Sequence, residues 1–252
     1  MINKKELYSY ARLRKLNLGQ AEIDYLITII LFLLSKYNNL VFKGGTALSK
    51  AYNLDRFSND LDFNIINKFN LNDNLLSLAE EIKQFGINVE IKQIKGISDS
   101  LRSILRIEGP LYLGTINSKC NVILDFSFRE KLMFPAQLKK INHQLNEIPI
   151  FDINVMDIRE IFAEKIRAIL TRNKARDLYD AYYLLKQNIN INLQTINEKL
   201  NYYHEGFSFE KFKEAVNKKE NIWNNELKLL LKNVPDFNMV KKELSEFIKH
   251  LN

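Results

Sequence analysis

Apolar and polar positions along this chain follow two periods, and the switches between them mark its elements. Residues 4–37 carry helical spacing in two blocks, one polar and one strongly apolar around Ile27, Ile30, Leu31 and Leu34. Leu40, Val41 and Phe42 form a short apolar run that reads as a buried strand. Lys43 and the pair Gly44-Gly45 follow, and Thr46 opens a predicted helix to about residue 53. The chain returns through Arg56, Phe57 and Ser58 into Asp60-Leu61-Asp62-Phe63, a second predicted strand. Helical spacing resumes over 72–85 through Leu75, Leu76, Leu78, Ala79 and Ile82, and Gly86 closes it. A strand-rich middle comes next. Val89 and Ile91 alternate with Glu90 and Lys92, residues 101–107 alternate less regularly, and 122–128 (VILDFSF) forms the strongest strand.

Residues 131–155 contain Pro135 and Pro149, have no Lys or Arg after Lys140, and read as a connection between two lobes with a short strand over 148–155. A helical block then runs over 157–188. Asp157 can cap it, and Glu160 three residues on predicts a capping-box-like start. Ile158, Ile161, Phe162, Ile169 and Leu170 form its apolar stripe, with Lys165 inside that stripe. A second helix, about 175–185, places Asp177 and Asp180 one turn apart on a face shared with Leu184. Residues 189–252 read as amphipathic helix through Phe207, Phe209, Phe212, Val216, Trp223, Leu227, Leu230 and Leu231. The predicted fold class is α/β (α+β), a small mixed sheet with flanking helices followed by a helical C-terminal lobe. The expected domains are 1–147 and 148–252, the second carrying Lys165 and Asp177/Asp180.

Composition narrows the class. Hydrophobic content of 46% with 27% charged residues is globular rather than disordered. The single cysteine, Cys120, excludes an internal disulfide. The N-terminus lacks the apolar core and cleavage site of a secretory signal, and the longest apolar run, 25–34, is too short to span a bilayer. The expectation is a cytoplasmic protein with no membrane partner. The formal charge is +7, and residues 83–140 hold ten Lys/Arg against five Asp/Glu. That surplus suits an RNA or DNA acceptor, although a Lys- and Asn-rich composition produces the same count. Aromatics among the C-terminal lysines could stack on bases or fill a core. His143, His204 and His250 are scattered, which argues against a zinc site.

The candidate chemistry gathers around 41–64. Side chains two apart on a strand share a face, so Asp60 and Asp62 converge while Leu61 and Phe63 turn to the core. Two close carboxylates repel unless a cation lies between them, and oxygen ligands of this kind suit Mg²⁺ held together with substrate phosphates. Gly44 and Gly45 let a triphosphate approach the backbone at a helix N-terminus, with Thr46, Lys50 and Ser58 as further candidates to hold it. Asp125, in the middle of an apolar strand, must be paired, hydrogen-bonded or metal-bound; Arg129 or a backbone cap could satisfy it. Lys165 must snorkel, pair with a carboxylate or face an anion. It either joins Asp177 and Asp180 in a structural network or binds nucleotide phosphates with Asp180 orienting it.

Gly-Gly, a helix and Asp-x-Asp in that order resemble the signature of the polymerase-β-like nucleotidyltransferase superfamily. More closely, KGGTALSKAY with RFSNDLDF, and AEKIRAILTRNKARDLYDAYYLL later, are similar to the AbiEii/AbiGii toxin family, toxins of type IV-like bacterial toxin–antitoxin pairs. Matching segments run from about Phe42 to Leu185; the middle strands are not distinctive and the C-terminal 60 residues match no recognisable motif. The resemblance implies a polymerase-β-like core in which a neighbouring strand, here through Asp125, gives a third catalytic carboxylate. Metal ligands would then be Asp60, Asp62 and Asp125; catalytic residues would add Lys165 and Asp180; nucleotide contacts would come from Gly44, Gly45, Thr46, Lys50, Ser58, Lys165 and Asp177. It further implies an Mg²⁺-dependent (or Mn²⁺-dependent) transfer of a nucleoside monophosphate from an NTP to RNA. The implied acceptor is the 3′ end of tRNA, the effect a block of translation in abortive infection and phage defence, and the partner an antitoxin that is a DNA-binding repressor. Two rivals stand beside it: a phosphotransferase modifying a protein or itself, with Ser58 as acceptor, and a non-enzymatic nucleotide-binding module.

Overall fold

The computed structural model describes residues 1–67, 70–94 and 100–251. The chain divides into two compact units. Met1–Asn53, Ser58–Lys131 and Ala136–Val155 form the first; Leu54–Phe57, Leu132–Pro135 and Met156–Asn252 form the second. The boundary expected at 147/148 falls just ahead of a strand, Phe151–Val155, that completes the sheet of the first unit.

The first unit opens with helices α1 (Lys4–Arg14) and α2 (Leu18–Leu34). Asn3 and Asn17 start them with full capping boxes, closed by Glu6 and Gln20. Strand β1 (Leu40–Lys43), helix α3 (Gly44–Ala51), strand β2 (Asp60–Ile65) and helix α4 (Leu71–Gln84) follow. Then come β3 (Val89–Ile94), β4 (Ser100–Ile107), β5 (Cys120–Ser127), β6 (Gln137–Ile141) and β7 (Phe151–Val155). The seven strands make one mixed sheet in the order β3-β4-β5-β2-β1-β7-β6, with β2/β5 and β1/β7 parallel and the other pairs antiparallel. Residues 131–155, expected as a connection with one short strand over 148–155, contain that strand as β7 and a second, unexpected one, β6. Edge strand β6 keeps most of its positions outside the core, so no apolar alternation betrays it.

Helix α2 is buried nearly all round and packs against the sheet through β5 and β7. Opposite it, the alternation of β2 sends Leu61 and Phe63 inward at 0% exposure. Phe63 sits between Phe42 on β1 and Phe126 on β5, with ring centroids 5.3 and 5.7 Å away. This cross-strand ladder fixes the pleat of the three central strands, and hence which side chains appear on their other face.

The second unit is helical: α5 (Ile158–Thr171), α6 (Ala175–Leu185), α7 (Leu193–Asn201), α8 (Phe209–Asn217), α9 (Glu220–Leu227) and α10 (Phe237–Lys249). Its core takes Phe212, Val216, Trp223 and Leu227 from the amphipathic tail, all at most 1% exposed. The Trp223 indole N–H donates to the Pro235 carbonyl at 2.8 Å. These aromatics are core. Tyr202 stays exposed, and Tyr203 lies under the Arg167 guanidinium at 3.9 Å.

Phe63→Ala removes the middle ring of the ladder and is expected to destabilise the first unit by about 3–5 kcal/mol. Urea unfolding followed by circular dichroism measures it; a loss below about 1 kcal/mol would mean the ladder does not hold the central strands.

Candidate active site

The face of the central sheet turned away from the Phe42–Phe63–Phe126 ladder is acidic. Asp60 and Asp62 stand on it, both half-buried, two residues apart on β2. The parallel register of β2 and β5 places Asp125 directly beside Asp62. Neighbouring strands are about 5 Å apart, and two unit charges at that spacing repel by roughly 3 kcal/mol at an effective dielectric of 20. Something positive has to offset three such carboxylates. Part of it is Arg102, which the antiparallel register of β4 sets opposite Asp125. Its Nε and Nη2 donate to Asp125 Oδ1 and Oδ2, each at 2.8 Å. Asp125, then Asp60 and Asp62, raise the Arg102 pKa further above its usual value. Arg129 or a backbone cap was expected to satisfy Asp125; the bidentate partner is Arg102.

Helix α3 begins at this face. Gly44 has φ +76°, a left-handed conformation that favours glycine. A Cβ on Gly44 would lie 2.3 Å from Asp62 Oδ2 and 3.0 Å from its Cγ. The Asp62 carboxylate thus occupies the space that a side chain at residue 44 would need. The N-cap residue Lys43 makes no side-chain capping bond to the first turn of α3, and backbone N–H groups at such a turn favour an anion. Thr46 ties the helix to β2: its hydroxyl donates to the Asp60 carbonyl and lies 2.8 Å from Ser58 Oγ. Lys50, expected on the triphosphate, has its ammonium 2.7 Å from Asp24 Oδ1 and 2.9 Å from Thr28 Oγ1 on α2. Burial holds its pKa below the usual lysine value despite the Asp24 charge.

The second unit carries its own polar centre. Arg56 Nε and Nη2 embrace Asp180 at 2.5 and 2.7 Å. Arg172 Nε and Nη2 embrace Asp177 at 2.7 and 2.8 Å. Lys165 lies between them, its Nζ 2.7 Å from Asp180 Oδ2 and 3.3 Å from Asp177 Oδ1. Both carboxylates are fully buried. The spacing of Lys165, Asp177 and Asp180 foretold their meeting; the two arginines were not foreseen. Burial works to raise the Asp177 pKa, but Lys165 and Arg172 outweigh it and lower it to about 2. Burial likewise opposes the ionised form of Asp180, and Arg56 with Lys165 wins, leaving its pKa lowered. Asp55, next in the chain, accepts the Tyr179 hydroxyl, and the Phe57 N–H donates to the Leu230 carbonyl at 2.9 Å. The segment Leu54–Phe57 is anchored inside the second unit immediately before the chain enters β2.

One expectation at α5 is corrected. Asp157 does cap the helix, accepting from the Arg159 N–H at 2.9 Å. Glu160 makes no capping box: it accepts from the Met133 N–H at 3.0 Å and pairs with buried Lys199 at 3.0 Å. A carboxylate that finds a buried ammonium is worth more there than at a solvated helix end.

The oxygen-only donor set of Asp60 and Asp62 fits a hard divalent cation. Among the described residues no three His, Cys, Asp or Glu side chains converge closely enough to hold a metal by themselves. Two carboxylates with phosphate oxygens and water is the arrangement that Mg²⁺ commonly accepts. No single helix among the described residues is long and apolar enough to cross a membrane.

The family described as "Nucleotidyl transferase AbiEii toxin, Type IV TA system" matches residues 31–248, and so takes in the C-terminal helices for which the sequence showed no motif. No curated protein matches the chain. Among solved structures, MenT4, a nucleotidyltransferase toxin from Mycobacterium tuberculosis, is similar at TM-score 0.71 and 20% identity, covering 100% of this chain and 91% of that one. JHP933 from Helicobacter pylori is similar at TM-score 0.63 and 21% identity, covering 99% and 93%. A putative nucleotidyltransferase from H. pylori is similar at TM-score 0.62 and 23% identity, covering 91% and 92%. At these identities the likeness establishes the fold alone, a mixed α/β sheet with flanking helices and a helical C-terminal part.

Two outcomes follow from the geometry. Gly44→Ala keeps the fold, since the short Asp62 side chain can turn away, at a cost of about 1–2 kcal/mol for the left-handed residue. It should nonetheless abolish nucleotide binding measured by calorimetry, and full binding by this variant would remove Asp62 from the site. The Asp177 carboxyl titrates near pH 3.9 in the unfolded chain and at about 2 when folded. Its contribution is therefore complete above about pH 5 and lost progressively as pH falls through 2, roughly 2–3 kcal/mol in all. Denaturant midpoints between pH 5 and 2 measure this, and Asp177→Asn should flatten the slope.

Proposed function

The chain belongs to the AbiEii family of nucleotidyl transferase toxins, and from that premise we propose that it transfers a nucleoside monophosphate from an NTP to the 3′ end of tRNA. Family membership makes it a transferase that uses an NTP, with an antitoxin as partner. The observation that carries the finer reading is the alignment of Asp60, Asp62 and Asp125 on one sheet face beside the Gly44 turn. Asp60 and Asp62 would hold Mg²⁺, or Mn²⁺ in its place. Bound there, the cation would supply positive charge against the negative charge that develops on the phosphate during transfer.

The chain's own groups do the rest. Backbone N–H groups of Gly44 and Gly45 receive the triphosphate at the start of α3. Thr46, holding the Asp60 carbonyl, keeps that turn and β2 in fixed relation. An acceptor hydroxyl oxygen forms the new bond to the α-phosphorus while the bond to the bridging oxygen of the β-phosphate breaks. Pyrophosphate leaves, and the hydroxyl proton passes to Asp125, which acts as the general base. Lys165 is the surplus cation of the buried cluster, because Asp177 and Asp180 each have a bidentate arginine already. That surplus supports the role given to Lys165 toward phosphate charge, with Asp180 orienting it and Asp177 beside it. The net charge of +7 supports an RNA acceptor, and the reading implies action in the cytoplasm, with translation blocked.

Purified protein, total bacterial tRNA, Mg²⁺ and each α-³²P-labelled NTP in turn test this, with Asp62→Ala in parallel. Label on tRNA from the wild type alone is the expected result, and it names the base. Label retained on protein only from γ-³²P-NTP would replace the reading with phosphotransfer, for which Ser58 is the nearest hydroxyl in sequence to Asp60.

A further inference from the structure

The Arg56–Asp180 and Arg102–Asp125 pairs are both bidentate, and they differ in one respect that decides what each can do. The side chains of Arg56 and Asp180 are 2% and 0% exposed. Those of Arg102 and Asp125 are 53% and 28% exposed. A pair locked in the interior cannot part without leaving a buried charge uncompensated. A pair at the surface can exchange partners, because water receives whichever group is released.

Arg102 stands at the one place where such an exchange has a consequence. Its register partner is Asp125, whose own neighbour across the parallel pairing is Asp62. Both oxygens of Asp125 are occupied by the guanidinium. The charges of Asp60 and Asp62 also act on Arg102. The field that draws a divalent cation to this face is therefore the field that holds the guanidinium, and the two cations compete for it.

We infer that Arg102 is the built-in counter-ion of the acidic face, occupying Asp125 in the cation-free protein and releasing it when a divalent cation binds Asp60 and Asp62. The guanidinium occupies Asp125 in place of a metal, offsets part of the repulsion among the three carboxylates, and on release becomes a donor for phosphate oxygens. Asp125 is thereby available as ligand or base only after loading. This inference rests on the metal-assisted reading of the same face.

Mn²⁺ titration followed by electron paramagnetic resonance, without nucleotide, tests it on the full chain. Wild type, Arg102→Gln, Arg102→Lys and Asp62→Ala are compared, with thermal melts of each in the presence and absence of Mn²⁺. Removing the competing charge should make Arg102→Gln bind Mn²⁺ about tenfold tighter, with Arg102→Lys between it and wild type. The metal-free Tm of Arg102→Gln should fall, and Mn²⁺ should restore it. Unchanged or weaker affinity in Arg102→Gln, with binding still lost in Asp62→Ala, would overturn the inference and leave the metal reading intact, Arg102 then being a staple between β4 and β5. Absence of Mn²⁺ binding in every variant would overturn both.

Discussion

The parallel pairing of β2 with β5 carries the chemistry and the core at once. It sets Phe63 beside Phe126 on one face and Asp62 beside Asp125 on the other. Because side chains alternate with period two, a slip of one residue would exchange these sets, putting carboxylates among the rings and rings into water. The penalty for burying an unpaired carboxylate is several kcal/mol, so the register has only one tolerable value. The aromatic ladder thus serves the acidic face indirectly: packing on one side fixes the positions of charges on the other. Gly44 adds the last constraint, since Asp62 fills the space where a Cβ would be.

The helical unit rests on a different economy of charge. Asp177 and Asp180 are out of contact with water, and each accepts two parallel bonds from its own arginine. Such geometry is what a buried ion pair needs to offset its desolvation. The Arg56 pair also pins the segment Leu54–Phe57 to the helices, together with Asp55 on Tyr179 and the Phe57 N–H on Leu230. The chain enters β2 directly after that segment. Loss of Asp180 would thus act on the stretch that leads into Asp60 as well as on the helical core.

How far these features could be read from the sequence depends on their range. Periodicity found β1, β2, β5 and most helices within a few residues, because local spacing alone decides them. Strand β6 escaped, since an edge strand with exposed positions has no apolar alternation. Arg102 escaped because its meaning lies in register: nothing in the LRSILRI pattern says that it faces Asp125 across a long connection. Glu160 was misread for the same reason. Its local context is a capping box, and its partner Lys199 lies 39 residues away. Lys165, Asp177 and Asp180 were legible because helical spacing put two of them on one face and left the third inside an apolar stripe.

Lysines show most clearly why counting charge says little about where phosphate binds. Lys50, Lys165, Lys199 and Lys219 all have buried ammonium groups. Three pair with carboxylates, while Lys219 donates to the carbonyls of Ile169, Arg172 and Ala215 at 2.8–3.2 Å. It thereby closes the C-terminal end of α5, where helix carbonyls lack partners and favour a cation. Burial pulls its pKa below the usual lysine value, yet three carbonyl acceptors favour the charged form. Lys50, Lys199 and Lys219 are internal fasteners, invisible to a diffusing RNA except through their share of the net field. The positive charge that meets a nucleic acid must come from groups such as Arg102, whose side chain is half-exposed and whose present partner can be exchanged.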